Sequence, residues 1–154
     1  MSIDIGLQIP DILKSKLTSA IPEQEALPLI SLDDKGYPHV ALLSYLELLL
    51  IDGQLYFFLS NRSRSASNLQ KRPICTVLFF SPGYAFYFKG KATFLFTFAS
   101  QSVFHFNLKT VLQDFPEKQE EGSGLKSGLN FGLDPDALRV KLTFRQKIRE
   151  KLAG

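Results

Sequence analysis

Apolar residues along the chain fall in alternating or continuous runs, the patterns of strands covered on one face or on both. Leu27–Leu32 and His39–Leu50 each read as a strand, and Asp33-Asp34-Lys35-Gly36 between them is a turn, so the pair predicts a β-hairpin. Asp52-Gly53 marks the next tight turn and leads into Gln54–Leu59. Within that segment Leu55 to Leu59 is apolar without interruption, which suits a strand buried on both faces. These three strands are expected to form a meander.

Downstream, Cys75–Phe80 predicts another buried strand, and Ser81-Pro82-Gly83 turns the chain into Tyr84–Phe96. In that strand Tyr84, Phe86 and Phe88 share one face and Ala85, Tyr87 and Lys89 the other, while Gly90 marks a bulge or sharp bend of the kind that lets a sheet curl. Val103–Val111, in the less regular stretch Phe98–Leu112, is rich in β-branched and aromatic residues and reads as strand. Arg139–Phe144 alternates cleanly and predicts a last strand burying Val140, Leu142 and Phe144. Helical spacing is confined to short segments. Ile9–Ala20 carries Ile12, Leu13 and Leu17 at helical intervals and ends at Ile21-Pro22; Asp134-Pro135 caps a brief turn; Phe144, Ile148 and Leu152 give the tail a short amphipathic helix with a basic outer face. Asp114–Gly128 is acidic, then rich in glycine and serine, and reads as an exposed loop. The class is mainly β with short helices.

The stretch Tyr56–Pro73 compresses a strand, a turn and a helix into one unit. Ser63 or Ser65 can cap a helix through Ala66–Arg72, because a serine oxygen accepts one of the free amides of the first turn. Lys71 and Arg72 lie in the last turn, where cations oppose the negative helix end, and Pro73 closes the helix. The helix start is thus aimed out of the strand end, among Ser60, Arg62, Ser63, Arg64 and Ser65. Free amides, hydroxyls and guanidinium forks converging on one point outline a phosphate site. A capped surface turn with two solvated arginines fits the same residues.

Composition bounds the rest. With 154 residues, 45% hydrophobic and 21% charged, the chain is expected to fold as one globular domain. Fourteen Phe and five Tyr reinforce the β reading. A net charge of +3 mildly favours anionic ligands and is too small to indicate nucleic acid. Cys75 is the single cysteine, which excludes an internal disulfide and fits a reducing compartment. With no basic-plus-apolar leader and no run approaching the ~18 apolar residues of a membrane span, a soluble cytoplasmic protein is expected. His39 and His105 lack partners at metal-ligand spacing, so no metal is expected. Gly122–Gly128 fails the P-loop pattern because Leu125 stands where glycine is required, and no serine satisfies G-x-S-x-G. Glu117, Glu120 and Glu121 read as a solvated charge run, and the basic tail from Arg139 to Lys151 as a solvated or dimer-packing helix rather than a nucleic-acid or membrane surface.

The ordered set Leu29–Gly36, Pro38–Leu43, Leu55–Ser60, Ser63–Leu69, Arg72-Pro73 and Val77–Phe80 resembles the FMN-binding split β-barrel proteins of the pyridoxamine 5′-phosphate oxidase-like superfamily. The resemblance spans roughly residues 25 to 96. It implies a six-stranded antiparallel split β-barrel of Greek-key type, a homodimer, and FMN held in clefts at the dimer interface. Val40, Ala41, Leu42, Leu43 and Ser44 would line the flavin ring, and Ser60 would stand near the ribityl–phosphate region. Ser63 and Arg64 would contact the phosphate, with Asn68 on the helix that follows. The family often carries lysine where this chain has Ser65; Arg62 or Arg64 is then the cation to compensate. The late segment lacks the arginine- and histidine-rich signature that pyridoxamine phosphate oxidases use for their substrate, so the implied activity is flavin-dependent oxidoreduction of another small molecule. A flavin enzyme leaves the hydride chemistry to its cofactor, so the missing acid–base pair is no counter-argument. Two alternatives stand beside it: a haem- or ligand-binding barrel, with His105 the residue to watch, and a structural dimer without cofactor.

Overall fold

The computed structural model describes residues 2–114 and 129–154. Its strands are β1 (Ser2–Asp4), β2 (Leu27–Leu32), β3 (Pro38–Leu43), β4 (Leu48–Ile51), β5 (Gln54–Ser60), β6 (Ile74–Ser81), β7 (Tyr84–Phe98) and β8 (Gln101–Asp114). Its helices are α1 (Asp11–Leu17), α2 (Arg64–Lys71) and α3 (Pro135–Ala153). All strands pair antiparallel in the order β3-β2-β6-β7-β8-β5-β4, with β1 added to β8. The six strands expected are therefore eight, in a sheet whose path ends at β3 and β4 without closing.

The β2–β3 hairpin forms as predicted, from Leu27↔Leu43 to Leu32↔Pro38. The continuous strand expected over His39–Leu50 does not. It breaks at Ser44, which caps a 3-10 turn at Tyr45–Glu47: Leu46 N donates to Ser44 Oγ at 3.1 Å and Ser44 N to Glu47 Oε2 at 3.0 Å. The break also overturns the three-strand meander, because β3 and β4 lie at opposite ends of the sheet and the 3-10 turn carries the chain between them. Ser44-x-x-Glu47 is a capping box legible in the sequence. Periodicity alone passed over it.

Alternation in β2 and β6 buries one face of each, and Leu27, Leu29, Phe57, Phe79, Phe88 and Phe104 are sealed inside. Leu13 and Leu17 of α1 join this core. A second cluster on the other side of the sheet joins Leu49, Phe58 and Val103 to Ile148, with Tyr56, Phe144 and Leu152 at its margin. That cluster explains the unbroken Leu55–Leu59 run: the inner residues face the main core and Phe58 faces α3. Burying a Phe or Leu side chain stabilises by about 1.5–3 kcal/mol, so α3 is held chiefly by this apolar seam.

The strand expected at Arg139–Phe144 is part of α3. Asp134 Oδ1 accepts from Ala137 N at 2.8 Å and Pro135 occupies the first turn, so the brief turn expected there starts a helix of 19 residues. Val140, expected to be buried, is 65% exposed, while Phe144, Ile148 and Leu152 line the packed face. A six-residue alternation on a helix rim mimics a strand; the surrounding three-to-four spacing decides. The loop expected at Asp114–Gly128 lies outside the described residues apart from Asp114, which ends β8, and so do the Glu117–Glu121 run and the Gly122–Gly128 segment.

Gly90 behaves as predicted. The β7–β8 register shifts between Lys89 and Gly90, and a Cβ at Gly90 would stand 2.1 Å from the backbone oxygen of Asn107. The close approach leaves room for glycine alone.

Candidate functional site

At the end of β5 the chain turns through Asn61, Arg62 and Ser63 into α2. Asn61 N donates to Ser100 O at 2.9 Å and Ser63 N to Ser60 O at 3.0 Å, which fixes the turn against the β7–β8 hairpin. Ser63, not Ser65, is the cap: its Oγ accepts from Ala66 N at 3.1 Å and donates to Ser60 O at 2.7 Å. Its hydroxyl proton is thereby committed to the turn. Ser63→Ala should cost about 1 kcal/mol of stability in urea denaturation, the usual value of a serine cap.

Other groups at this corner remain available. Ser60 Oγ accepts from Arg62 N at 3.3 Å and keeps its own proton for another acceptor. The amides of Arg64 and Ser65 head α2 where no intrahelical acceptor exists. Arg62 and Arg64 are exposed and form no ion pair among the described residues.

The other end of α2 is bolted down. Arg72 donates from Nε to Leu32 O at 3.1 Å and from Nη2 to Asp34 Oδ1 at 2.9 Å, and Lys71 Nζ reaches the same oxygen at 3.4 Å. The hydrogen bond from Arg72, then that from Lys71, holds the Asp34 carboxyl below its usual range. Asn68 Nδ2 donates to Ser31 Oγ at 3.1 Å, deep in the α2–β2 contact, so its amide ties the helix to the sheet. Ser65 is fully buried, and its Oγ has no hydrogen-bond partner. The helix is therefore clamped at its rear while its positive N-terminus stands open.

Beside it lies the free edge of the sheet. On β3, Val40 and Leu42 are 56% and 53% exposed, Ala41 is half-buried and Leu43 joins the core. Ile74 on β6 is also exposed, giving this side of the sheet several uncovered apolar residues. Ser44 is buried and committed to Glu47, which accepts from both its amide and its hydroxyl. The structure thus sets Val40–Leu43 and the Ser60–Arg64 turn on elements that α2 links, and gives Ser44 and Asn68 structural partners.

Sequence reasoning passed over the two-residue β7–β8 turn. Ala99 and Ser100 adopt φ of 45° and 68°, a left-handed conformation unfavourable to both residue types, and Ser100 O accepts from Asn61. Nothing in an Ala-Ser dipeptide signals this. Ala99 and Gln101 line a cleft of about 290 Å³ with Leu46, Glu47, Phe58 and Phe144. Gln101 pairs with Ser60 and Glu47 holds Ser44, so the cleft adjoins both halves of the candidate site.

Elsewhere, His105 Nε2 lies 2.8 Å from Gln54 Oε1 and its ring centroid 5.2 Å from that of Tyr56. Burial raises the Cys75 thiol to about 12, so it stays protonated at neutral pH. Among the described residues no group of three or more His, Cys, Asp or Glu gathers to hold a metal, and no helix is long and apolar enough to cross a membrane.

Solved structures place the fold. HutZ, the heme storage protein of Vibrio cholerae, superposes with a TM-score of 0.53 at 13% identity over 69% of this chain and 94% of its own. A conserved hypothetical protein from Mycobacterium tuberculosis gives 0.54 at 15% identity over 70% and 84%. An F420 reductase gives 0.52 at 12% identity over 67% and 98%. At such identities the likeness is one of fold. No protein of curated function matches by sequence. The model of the pyridoxamine 5′-phosphate oxidase family matches residues 13–122, from α1 through β8. On that match, and on an antiparallel sheet consistent with a split barrel, the chain belongs to the pyridoxamine 5′-phosphate oxidase family.

Proposed function

We propose that this chain is an FMN-binding protein that acts as a flavin-dependent oxidoreductase on a small molecule, as a homodimer with the cofactor at the interface. The observation that carries the reading is the open N-terminus of α2, where unbonded amides and the Ser60 proton lie in one short turn with Arg62 and Arg64, both exposed and without an ion pair among the described residues. These residues fit a phosphate monoester: amides and hydroxyl donate to its oxygens, and a guanidinium grips two at once.

The fit does not use every residue expected of it. Ser63 has its proton on Ser60 O, Asn68 holds Ser31, and Ser65 is buried, so Arg64 with Arg62 replaces the lysine the family often has where this chain has Ser65. Val40 and Leu42 supply an exposed apolar strand for the flavin ring and for a second copy. The cleft lined by Phe58, Gln101 and Phe144 offers space for the substrate beside Ser60. A bound flavin supplies the hydride chemistry, and the chain's part is to anchor the phosphate, support the ring and exclude water.

One measurement tests this. Protein purified without added cofactor is expected to be yellow, or to quench FMN fluorescence saturably, and to elute as a dimer. Colourless protein that does not bind added FMN would overturn the reading. A Soret band on haem addition, removed by His105→Ala, would put the chain instead with haem-binding barrels such as HutZ.

A further inference from the structure

A second place in the molecule brings two arginines together without an ion pair to either among the described residues. Arg145 of α3 is only 6% exposed, and its Nη2 donates to Leu48 O at 2.7 Å and Leu17 O at 3.4 Å. Its Nε is buried without a partner. Nη1 is the one donor nitrogen neither bonded nor sealed from solvent. No carboxylate of the described residues forms an ion pair with Arg145 or with Arg149, one helical turn on. Burial and then the Arg149 charge push the Arg145 guanidinium down to about 10, against a smaller opposing pull from Glu47.

Arg145 and Arg149 both line a cleft of about 300 Å³ between the end of α1 and α3, together with Thr18, Ser19 and Gln146. Thr18 and Ser19 donate their hydroxyl protons to Lys14 O and Ile21 O, and Gln146 Nε2 leans on Glu150 at 3.4 Å. The two arginines are thus the cleft's available donors. A purely structural role accounts for Nη2, which clamps α3 to α1 and β4, but not for the second arginine or for the cleft. Buried charges are ordinarily matched by an opposite charge. Among the described residues no carboxylate pairs with either guanidinium, and Glu47 acts on Arg145 without forming an ion pair.

We infer that this cleft binds the oxyanion group, phosphate or carboxylate, of a small soluble ligand between Arg145 and Arg149. It shares no lining residue with the Ser60–Arg64 corner and does not rest on the flavin reading. The test is titration of the full ¹⁵N-labelled chain with inorganic phosphate and, separately, with acetate, using sodium chloride at matched ionic strength as control. Saturable shifts are expected at the Thr18–Ala20 amides and at the arginine Nε resonances of 145 and 149, with the stronger arm naming the oxyanion. Arg149→Gln, which leaves the Arg145 clamp intact, should weaken that response roughly tenfold. Shifts that chloride reproduces, shifts confined to the Ser60–Arg64 turn, or an unchanged response in Arg149→Gln would overturn the inference.

Discussion

Arg64→Ala should raise the FMN dissociation constant by roughly tenfold to a hundredfold, the equivalent of losing a charge-assisted hydrogen bond worth about 1.5–3 kcal/mol. Arg64 is exposed and unpaired, so the same variant should leave the urea midpoint within about 0.5 kcal/mol of the parent. Arg64→Lys should recover part of the affinity, since an ammonium keeps the charge but not the two-pronged geometry. Arg72→Ala is the contrasting case. Arg72 holds Leu32 O and Asp34, so its loss should lower stability with little direct effect on FMN. Fluorescence titration and urea denaturation on the same preparations separate the two. Equal FMN affinity in Arg64→Ala would make the Ser60–Arg64 turn a capped surface turn and nothing more.

Gly90→Ala should destabilise the fold by about 3 kcal/mol, at the upper end of ordinary overpacking. The added Cβ meets the Asn107 oxygen at 2.1 Å and its carbonyl carbon at 2.9 Å, both backbone atoms of the paired strand. No side chain can swing away to make room. The β7–β8 pair would have to separate or lose the register shift that follows Lys89. At 154 residues that loss corresponds to a fall of ~10 °C in Tm, readable by calorimetry. An unchanged Tm would mean that β7 and β8 do not meet in this register.

Much of the sheet is legible in the sequence. Apolar runs and alternation mark β2, β5, β6 and β7, and the turn residues Asp33–Gly36, Asp52-Gly53 and Ser81–Gly83 fall at the turns that follow β2, β4 and β6. Gly90 was identified as a bulge because a glycine inside an aromatic strand implies a close neighbour, and the neighbour is Asn107. The capped turn before α2 was legible for a similar reason: a capping serine and the start of a helix act within a few residues of one another. Where elements meet, the pattern was silent or misleading. Arg139–Phe144 reads as a strand by period two, and the seat that Phe58 and Val103 offer to Ile148 and its neighbours adds to the Asp134 cap and the surrounding helical spacing to make it helix. The burial of Ser65 and the pairing of Asn68 with Ser31 depend on how α2 lies across the sheet, 37 residues away in sequence for that pair.

By itself, then, the sequence determined most of the central strands, their turns, the bulge and the capped turn at the head of α2, because each rests on interactions among near neighbours. Only the tertiary structure decided the strand order, the opposite placement of β3 and β4, the helical state of the C-terminal segment and which serine faces out. It alone brought Arg145 under Leu17 and Leu48, because burial and long-range pairing are properties of the packed chain.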